Sequence, residues 1–114
     1  MIINGIELEL DVMDVNTADK FQNMVETLFG DYKKCDQIGD ILRQRCMIIN
    51  EIFDGMFGEG AADAVLPGEM NLTNSFAALE EIVNEFVKLP DKMIEAQRKC
   101  FYKIEKESEL KLLK

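Results

Sequence analysis

The sequence predicts a mainly α fold: an N-terminal β-hairpin followed by a bundle of about four helices. Three observations lead there. Apolar residues recur three or four positions apart over most of residues 21–86, the period of a half-buried helix. The first ten residues instead alternate with period two around Asn4-Gly5. Glycine and proline interrupt the helical period at Gly55 to Gly60 and again at Pro67-Gly68. With 114 residues the chain fits one domain, 1–114. It divides into a hairpin (1–13), a helical core (17–88) and a C-terminal helix (90–114) that partly frays.

Met1-Ile2-Ile3 and Ile6-Glu7-Leu8-Glu9-Leu10 read as two strands joined by a two-residue type I′ turn, since Asn4 and Gly5 tolerate the positive φ that turn requires. Ile6, Leu8 and Leu10 share one face and Glu7 and Glu9 the other, and the strand can continue through Asp11-Val12-Met13. A lone hairpin is marginal in water, so its apolar face must rest on helices or add to another chain's sheet. Asn16 or Thr17 then caps a helix, with Asp19 in its first turn where the helix dipole favours negative charge.

The stripe that follows is Phe21, Val25, Leu28, Tyr32, Cys35, Gly39, Leu42, Cys46, Ile49, Phe53 and Met56. Its phase persists throughout, which fits either one long kinked helix or two collinear helices broken within 30–39, at Gly30-Asp31 or Gly39-Asp40. The second half, Cys46-Met47-Ile48-Ile49 with Ile41, Leu42, Ile52, Phe53 and Phe57 around it, is too apolar for one face. It is either the central core helix or a face for another subunit. Gly58 or Gly60 ends it in a left-handed cap. Ala61 to Val65 forms a short helical turn, and Pro67-Gly68 fits the centre of a type II turn. Asn71 or Thr73 caps a further helix with the stripe Leu72, Phe76, Leu79, Val83 and Phe86. Pro90 then either starts a new helix or kinks a continuous one, and Met93, Ile94, Cys100, Phe101 and Ile104 make a weaker stripe.

Charge excludes several function classes. The net charge is −9, and it is uneven: residues 92–114 carry seven Lys/Arg against four acids, +3, which leaves −12 on residues 1–91. Phosphate backbones and anionic membrane surfaces would repel such a body. The basic tail reads either as a solvated Lys-rich helix or as a segment that meets an acidic body, its own or a neighbour's. The three cysteines, Cys35, Cys46 and Cys100, are odd in number and lack C-x-x-C spacing, so neither a disulfide framework nor a thiolate zinc site is expected. Free thiols suit a reducing cytosol. No apolar run approaches the ~20 residues of a membrane span, and the first residues lack the basic and apolar regions of a signal peptide.

The residues offer little catalytic vocabulary. Without histidine there are no Ser-His or Cys-His pairs and no His-ligated metal. Gly55-x-x-Gly58-x-Gly60 follows a helix rather than a strand and lacks the order of a dinucleotide fingerprint. A calcium loop starting at Asp54 fails because Met56 and Gly58 stand where oxygen ligands belong and Glu59 stands where glycine belongs. Glu81 and Glu85 share a helix face, but di-iron bundles pair such acids with Glu-x-x-His. No catalytic residue, cofactor or metal is therefore expected, and the chain reads as a non-enzyme. Seven methionines, among them Met47, Met56, Met70 and Met93, suit core packing or an adaptable surface.

The order of these features resembles an uncharacterised protein family of phages and prophages of Gram-positive bacteria. The resemblance is carried by Ile3-Asn4-Gly5-Ile6-Glu7, the amphipathic helix from Asp19 to Leu28, and Ile52-Phe53-Asp54-x-x-Phe57-Gly58-Glu59-Gly60. It continues through Val65-Leu66-Pro67-Gly68, Asn71-Leu72 and Phe76-Ala77-Ala78-Leu79-Glu80-Glu81, covering about residues 1–87. Members often end in an Arg-rich tail, whereas residues 90–114 here mix Lys and Glu. The family is similar to phage tail assembly chaperones, small acidic helical proteins thought to coat the tape-measure protein and recruit tail-tube subunits.

The resemblance implies a virion-assembly role in the host cytoplasm, with a tape-measure or tail-tube protein as partner and self-association into an oligomer. It implies neither nucleic-acid nor membrane binding. The expected partner surface is an apolar groove built by helices 41–57 and 72–87, with Ile41, Met47, Ile48, Ile52, Phe53, Phe57, Phe76, Leu79, Val83 and Phe86 as its residues. The alternative is an acidic regulatory or inhibitory protein of phage origin that mimics nucleic acid, motivated by the −12 of residues 1–91.

Overall fold

The computed structural model describes residues 1–30, 37–68 and 70–112, with side chains described through Tyr102. Two short strands, β1 (Ile2–Ile3) and β2 (Ile6–Glu7), precede five helices. These are α1 (Val15–Leu28), α2 (Ile38–Phe57), α3 (Ala61–Val65), α4 (Leu72–Val87) and α5 (Leu89–Leu112). The mainly α expectation with an N-terminal hairpin holds.

The hairpin is built as the sequence predicts. Ile3 pairs with Ile6 and Ile2 with Glu7, and Asn4 and Gly5 both take positive φ, 49° and 81°. Leu8 N–H donates to the Met1 carbonyl at 2.8 Å, and the N-terminal ammonium returns a bond to the Leu8 carbonyl. Ile3 is buried, and Ile6, Leu8 and Leu10 pack against the core while Glu7 and Glu9 face out. The ladder ends sooner than residue 13. The chain instead turns at Asp11, whose carboxylate and carbonyl accept from Met13 and Asp14 N–H.

That early turn moves the first helix. Asp14, rather than Asn16 or Thr17, is its cap: one carboxylate oxygen accepts from Thr17 N–H at 2.9 Å and from Thr17 Oγ1–H at 2.8 Å. Asp19 consequently falls beyond the first turn.

α1 and α2 are not collinear. Leu28, at the end of α1, lies beside Arg45, whereas Lys20 and Met24 reach Gly55 near the end of α2. The two helices therefore run antiparallel. The apolar phase persists because both helices turn their stripes toward one core, not because they share an axis. Tyr32 and Cys35, which the stripe would run through, lie outside the described residues. Gly30 directly follows the C-cap residue Phe29, and Gly39 sits in the first turn of α2.

α2 is the central helix. It packs against α1, α3 and α4, and its Cys46, Ile49, Ile52 and Phe53 are buried. Ile3, Leu28, Ala62, Val65, Ala78, Leu79 and Ile82 complete the core from the hairpin and the other helices. Gly55 leaves room for Met24 to lie directly on the α2 backbone, where even a Cβ would meet the methionine methyl. Two further contacts fasten the outer elements. Phe21 of α1 stacks on Phe86 of α4 at 4.7 Å, and Asn4 Nδ2–H donates to the Val65 carbonyl at 2.9 Å.

The Phe53–Gly60 block stops α2 and fastens α3 to it. Gly58 has φ 104° and ψ 160°, a region open essentially to glycine alone, and its N–H closes on the Asp54 carbonyl. Gly60 is the left-handed N-cap of α3. The Asp54 side chain then accepts from Ala62 N–H at 2.9 Å, supplying the α3 cap that Gly60 cannot. Phe53 is fully buried, with Phe57 6.0 Å away from it ring to ring. Gly68 has φ 92°, as the third residue of a type II turn requires.

Asn71 caps α4 by accepting from Asn74 N–H. α4 ends at Val87, Lys88 makes a turn, and α5 begins with Pro90 in its first turn. Pro90 thus starts a new helix, since its missing N–H leaves the α4 ladder nothing to continue with. α5 touches the rest of the chain only through α4 among the stronger element contacts, and it makes the molecule 77 Å long.

Two substitutions separate the core from the helix stop. Phe53→Ala should lower unfolding free energy by about 3–5 kcal/mol, and Gly58→Ala by about 1–3 kcal/mol through backbone strain alone. Urea titration followed by circular dichroism measures both, and equal native spectra would confirm that the fold survives.

Candidate partner-binding site

A groove does run between α2 and α4, the two helices from which the sequence builds one. Its cleft is about 440 Å³. Cys46 and Asn50 line it from α2, Asn74, Ser75 and Ala77 from α4, and Asn4 from the hairpin turn. The 65–68 turn and Met70 close one end. Its chemistry differs from the expectation: side-chain amides dominate. Asn4 is engaged with Val65 and Asn71 with the α4 cap. At the floor, buried Ser75 Oγ–H lies 3.8 Å from Cys46 Sγ, a weak sulfur hydrogen bond between the two helices. Asn50 interrupts the apolar run Met47-Ile48-Ile49, and that polar residue at a helix-helix edge was the available signal for this lining.

The residues expected to form the partner surface divide into three sets. Ile52, Phe53 and Leu79 are core residues, 1%, 0% and 6% exposed, so they hold the chain together and present no surface. Ile48, Phe57 and Phe86 are half-buried against that core. Ile41, Met47, Phe76 and Val83 are exposed. An even stripe count on a helix does not distinguish these sets, because a 4-3 pattern wide enough to touch three neighbours always includes flank positions.

The exposed members have further exposed apolar neighbours. Phe76, Val83 and Val87 share one flank of α4 by their spacing, and Val87 is exposed too. Phe76 meets Leu28, Phe29 and Arg45 in an apolar cleft of about 220 Å³, where α1 ends against α2. Phe29 is 80% exposed there. On α2, Ile38, Ile41 and Leu42 continue the same face as Arg45, Ile49 and Ile52 but extend past the end of α1, and all three are exposed. The result is an apolar surface from the first turns of α2 across Phe29 to the flank of α4. Among the described residues no group of three or more Cys, Asp or Glu side chains is placed to hold a metal ion.

Residues 4–109 match the profile of a family described as a family of unknown function (DUF6673). The chain belongs to that family. No curated protein and no solved structure matches it. Among the described residues of this DUF6673 chain, no helix is long and apolar enough to cross a membrane.

Two carboxylates have ionisation tied to structure. The Thr17 backbone N–H, then its hydroxyl, hold Asp14 below the ordinary aspartate value of 3.8. For Glu85, burial pushes upward, but Lys88 and Lys92 together outweigh it and hold the group below the ordinary 4.5. Glu85 thereby ties the end of α4 to the first turn of α5, at 3.3 Å to Lys88 Nζ and 3.4 Å to Lys92 Nζ. Both folded pKa values lie below the unfolded ones, so both contributions are present above about pH 4.5 and lost as pH falls through the folded values. Asp14→Asn keeps the capping oxygen without the charge. Its stability relative to wild type should therefore rise between pH 7 and pH 3, as measured by urea midpoints at the two pH values.

Proposed function

We propose that this chain is a non-enzymatic assembly chaperone of the phage-tail kind, holding a tape-measure or tail-tube protein through its apolar surface. The observation that carries the reading is the exposed strip of Ile38, Ile41, Leu42, Phe29, Phe76 and Val83. A small acidic domain leaves these large side chains in water on one side, where an amphipathic helix of a partner can cover them. The supporting sequence features are the absence of histidine and the Phe-Asp-x-x-Phe-Gly-Glu-Gly block that carries the resemblance.

The alternative, an acidic regulatory or inhibitory protein that mimics nucleic acid, rests on the −12 of residues 1–91 alone.

Phe76→Asp and Val83→Asp should abolish co-purification with the tape-measure or tail-tube protein of the same phage. Each should change unfolding free energy by less than about 1 kcal/mol, since both sites are exposed. Co-expression followed by size-exclusion chromatography measures the first and urea titration the second. Retention of either partner by the double variant would refute the surface, and failure of wild type to bind either would refute the role.

A further inference from the structure

Among the described residues, α5 packs on α4 alone in its stronger contacts. It is a 24-residue helix, about 36 Å long. The radius of gyration is 19.8 Å, against roughly 13 Å for a compact chain of this length. An isolated helix with mixed Lys and Glu is marginal in water, yet Met93, Ile94 and Phe101 on it are 47%, 46% and 59% exposed. Cys100 is exposed as well.

These side chains are not scattered. At the helical period Met93, Ile94, Cys100 and Phe101 all fall within about 60° of Gln97. They are also placed symmetrically along the axis: Met93 and Phe101 stand four residues either side of Gln97, and Ile94 and Cys100 three either side. A face that reads the same in both directions matches itself when a second copy is turned end for end, which is the requirement of an isologous two-fold contact.

Charge selects the same arrangement. Side-by-side α5 helices pointing the same way would bring together two bodies of −12 each, whereas opposed helices set the bodies apart. Opposed helices also carry the Lys-rich end of each α5 toward its partner's body. At the root of α5 that body offers an apolar groove of about 260 Å³, lined by Val12, Met13, Val15, Ala18, Leu89 and Met93 and edged by Asp14 and Asp19. The groove continues the α5 face through Leu89 and Met93. A helix pair of this length with its two end grooves covers several hundred Å² per copy, the order used by stable dimers.

We propose that two copies of this chain associate through α5 as an antiparallel pair crossing at Gln97, each distal half lying toward the root groove of the other. This does not depend on the chaperone reading, because α5 is separate from the Phe29–Phe76–Val83 surface.

Disulfide trapping tests it. In an antiparallel pair Cys100 and its symmetry mate are six residues apart along the axis, about 9 Å, too far for a disulfide with a Cα limit near 7 Å. Position 97 faces itself. A chain carrying Cys35→Ser, Cys100→Ser and Gln97→Cys should form a disulfide dimer on mild oxidation, and a chain carrying only Cys35→Ser should not. Sedimentation equilibrium of wild type should give a dimer, and Phe101→Asp should weaken its dissociation constant by about 30-fold or more while leaving the helical spectrum of residues 15–87 in place. Crosslinking through Cys100, absence of crosslinking through position 97, a monomeric wild type up to millimolar concentration, or an unchanged constant in Phe101→Asp would each overturn the proposal.

Discussion

Burial of α2 on three sides is the constraint from which the rest of the arrangement follows. A helix carrying Cys46, Ile49, Ile52 and Phe53 on one broad face cannot be covered by a single neighbour, so α1, α3 and α4 all pack on it. The crossing with α1 is close because Gly55 has no side chain and Met24 can lie on bare backbone. The contact with α4 is closed by small residues, Ser75 and Ala78, on the α4 side. α3 is too short to hold itself and relies on the Asp54 carboxylate to accept from Ala62 N–H and on the Gly58 carbonyl to accept from Ala61 N–H. Each neighbour is thus fitted to α2 by a different local device, and α2 itself needs Gly58 to end where α3 must begin.

The same constraint explains which surface is left over. α1 ends at Leu28 and α4 begins at Leu72, so the first turns of α2 extend beyond both. Their apolar face has the phase of the core and no core to enter. A surface of this kind lies next to the packing that produces it, which keeps it rigid: Phe76 is exposed while Leu79 and Ile82, on the same helix, are fixed. Preorganised apolar surface costs less to bind than surface that must first be ordered.

Much of this was legible in the sequence and some was not. Asn4-Gly5, Pro67-Gly68 and Asn71 specified their turns and cap because those residues act locally, through φ or a short side chain. The stop at Gly58 was legible for the same reason, but Gly58 is extended at ψ 160° rather than a left-handed helical cap, and the left-handed Gly60 opens α3 instead of closing α2. The reversal between α1 and α2 was not, because a periodic stripe records which side of a helix is buried but not where the next helix lies. The Asp14 cap was displaced by a turn at Asp11 that carries no glycine or proline to mark it. Of the residues expected at the site, Ile41, Met47, Phe76 and Val83 are exposed and Ile52, Phe53 and Leu79 are core, a division that spacing does not reveal. The amide lining of the groove depends on the hairpin meeting α3 and α4, a juxtaposition of residues 4, 50 and 74 that no local pattern encodes.

The hairpin carries a further consequence. It joins the body through the buried side chain of Ile3, the flank contacts of Ile6, Leu8 and Leu10, and one amide bond from Asn4 to the Val65 carbonyl. Two paired residues per strand give it little cohesion of its own. Its local opening is therefore expected to cost less than the free energy that unfolds α2. Opening there uncovers Val65 from above and frees the backbone edge of Ile2 and Ile3, while the helices keep their packing. Amide hydrogen exchange should therefore be faster at Ile3 and Ile6 than at Ile49 and Phe53 in the middle of α2.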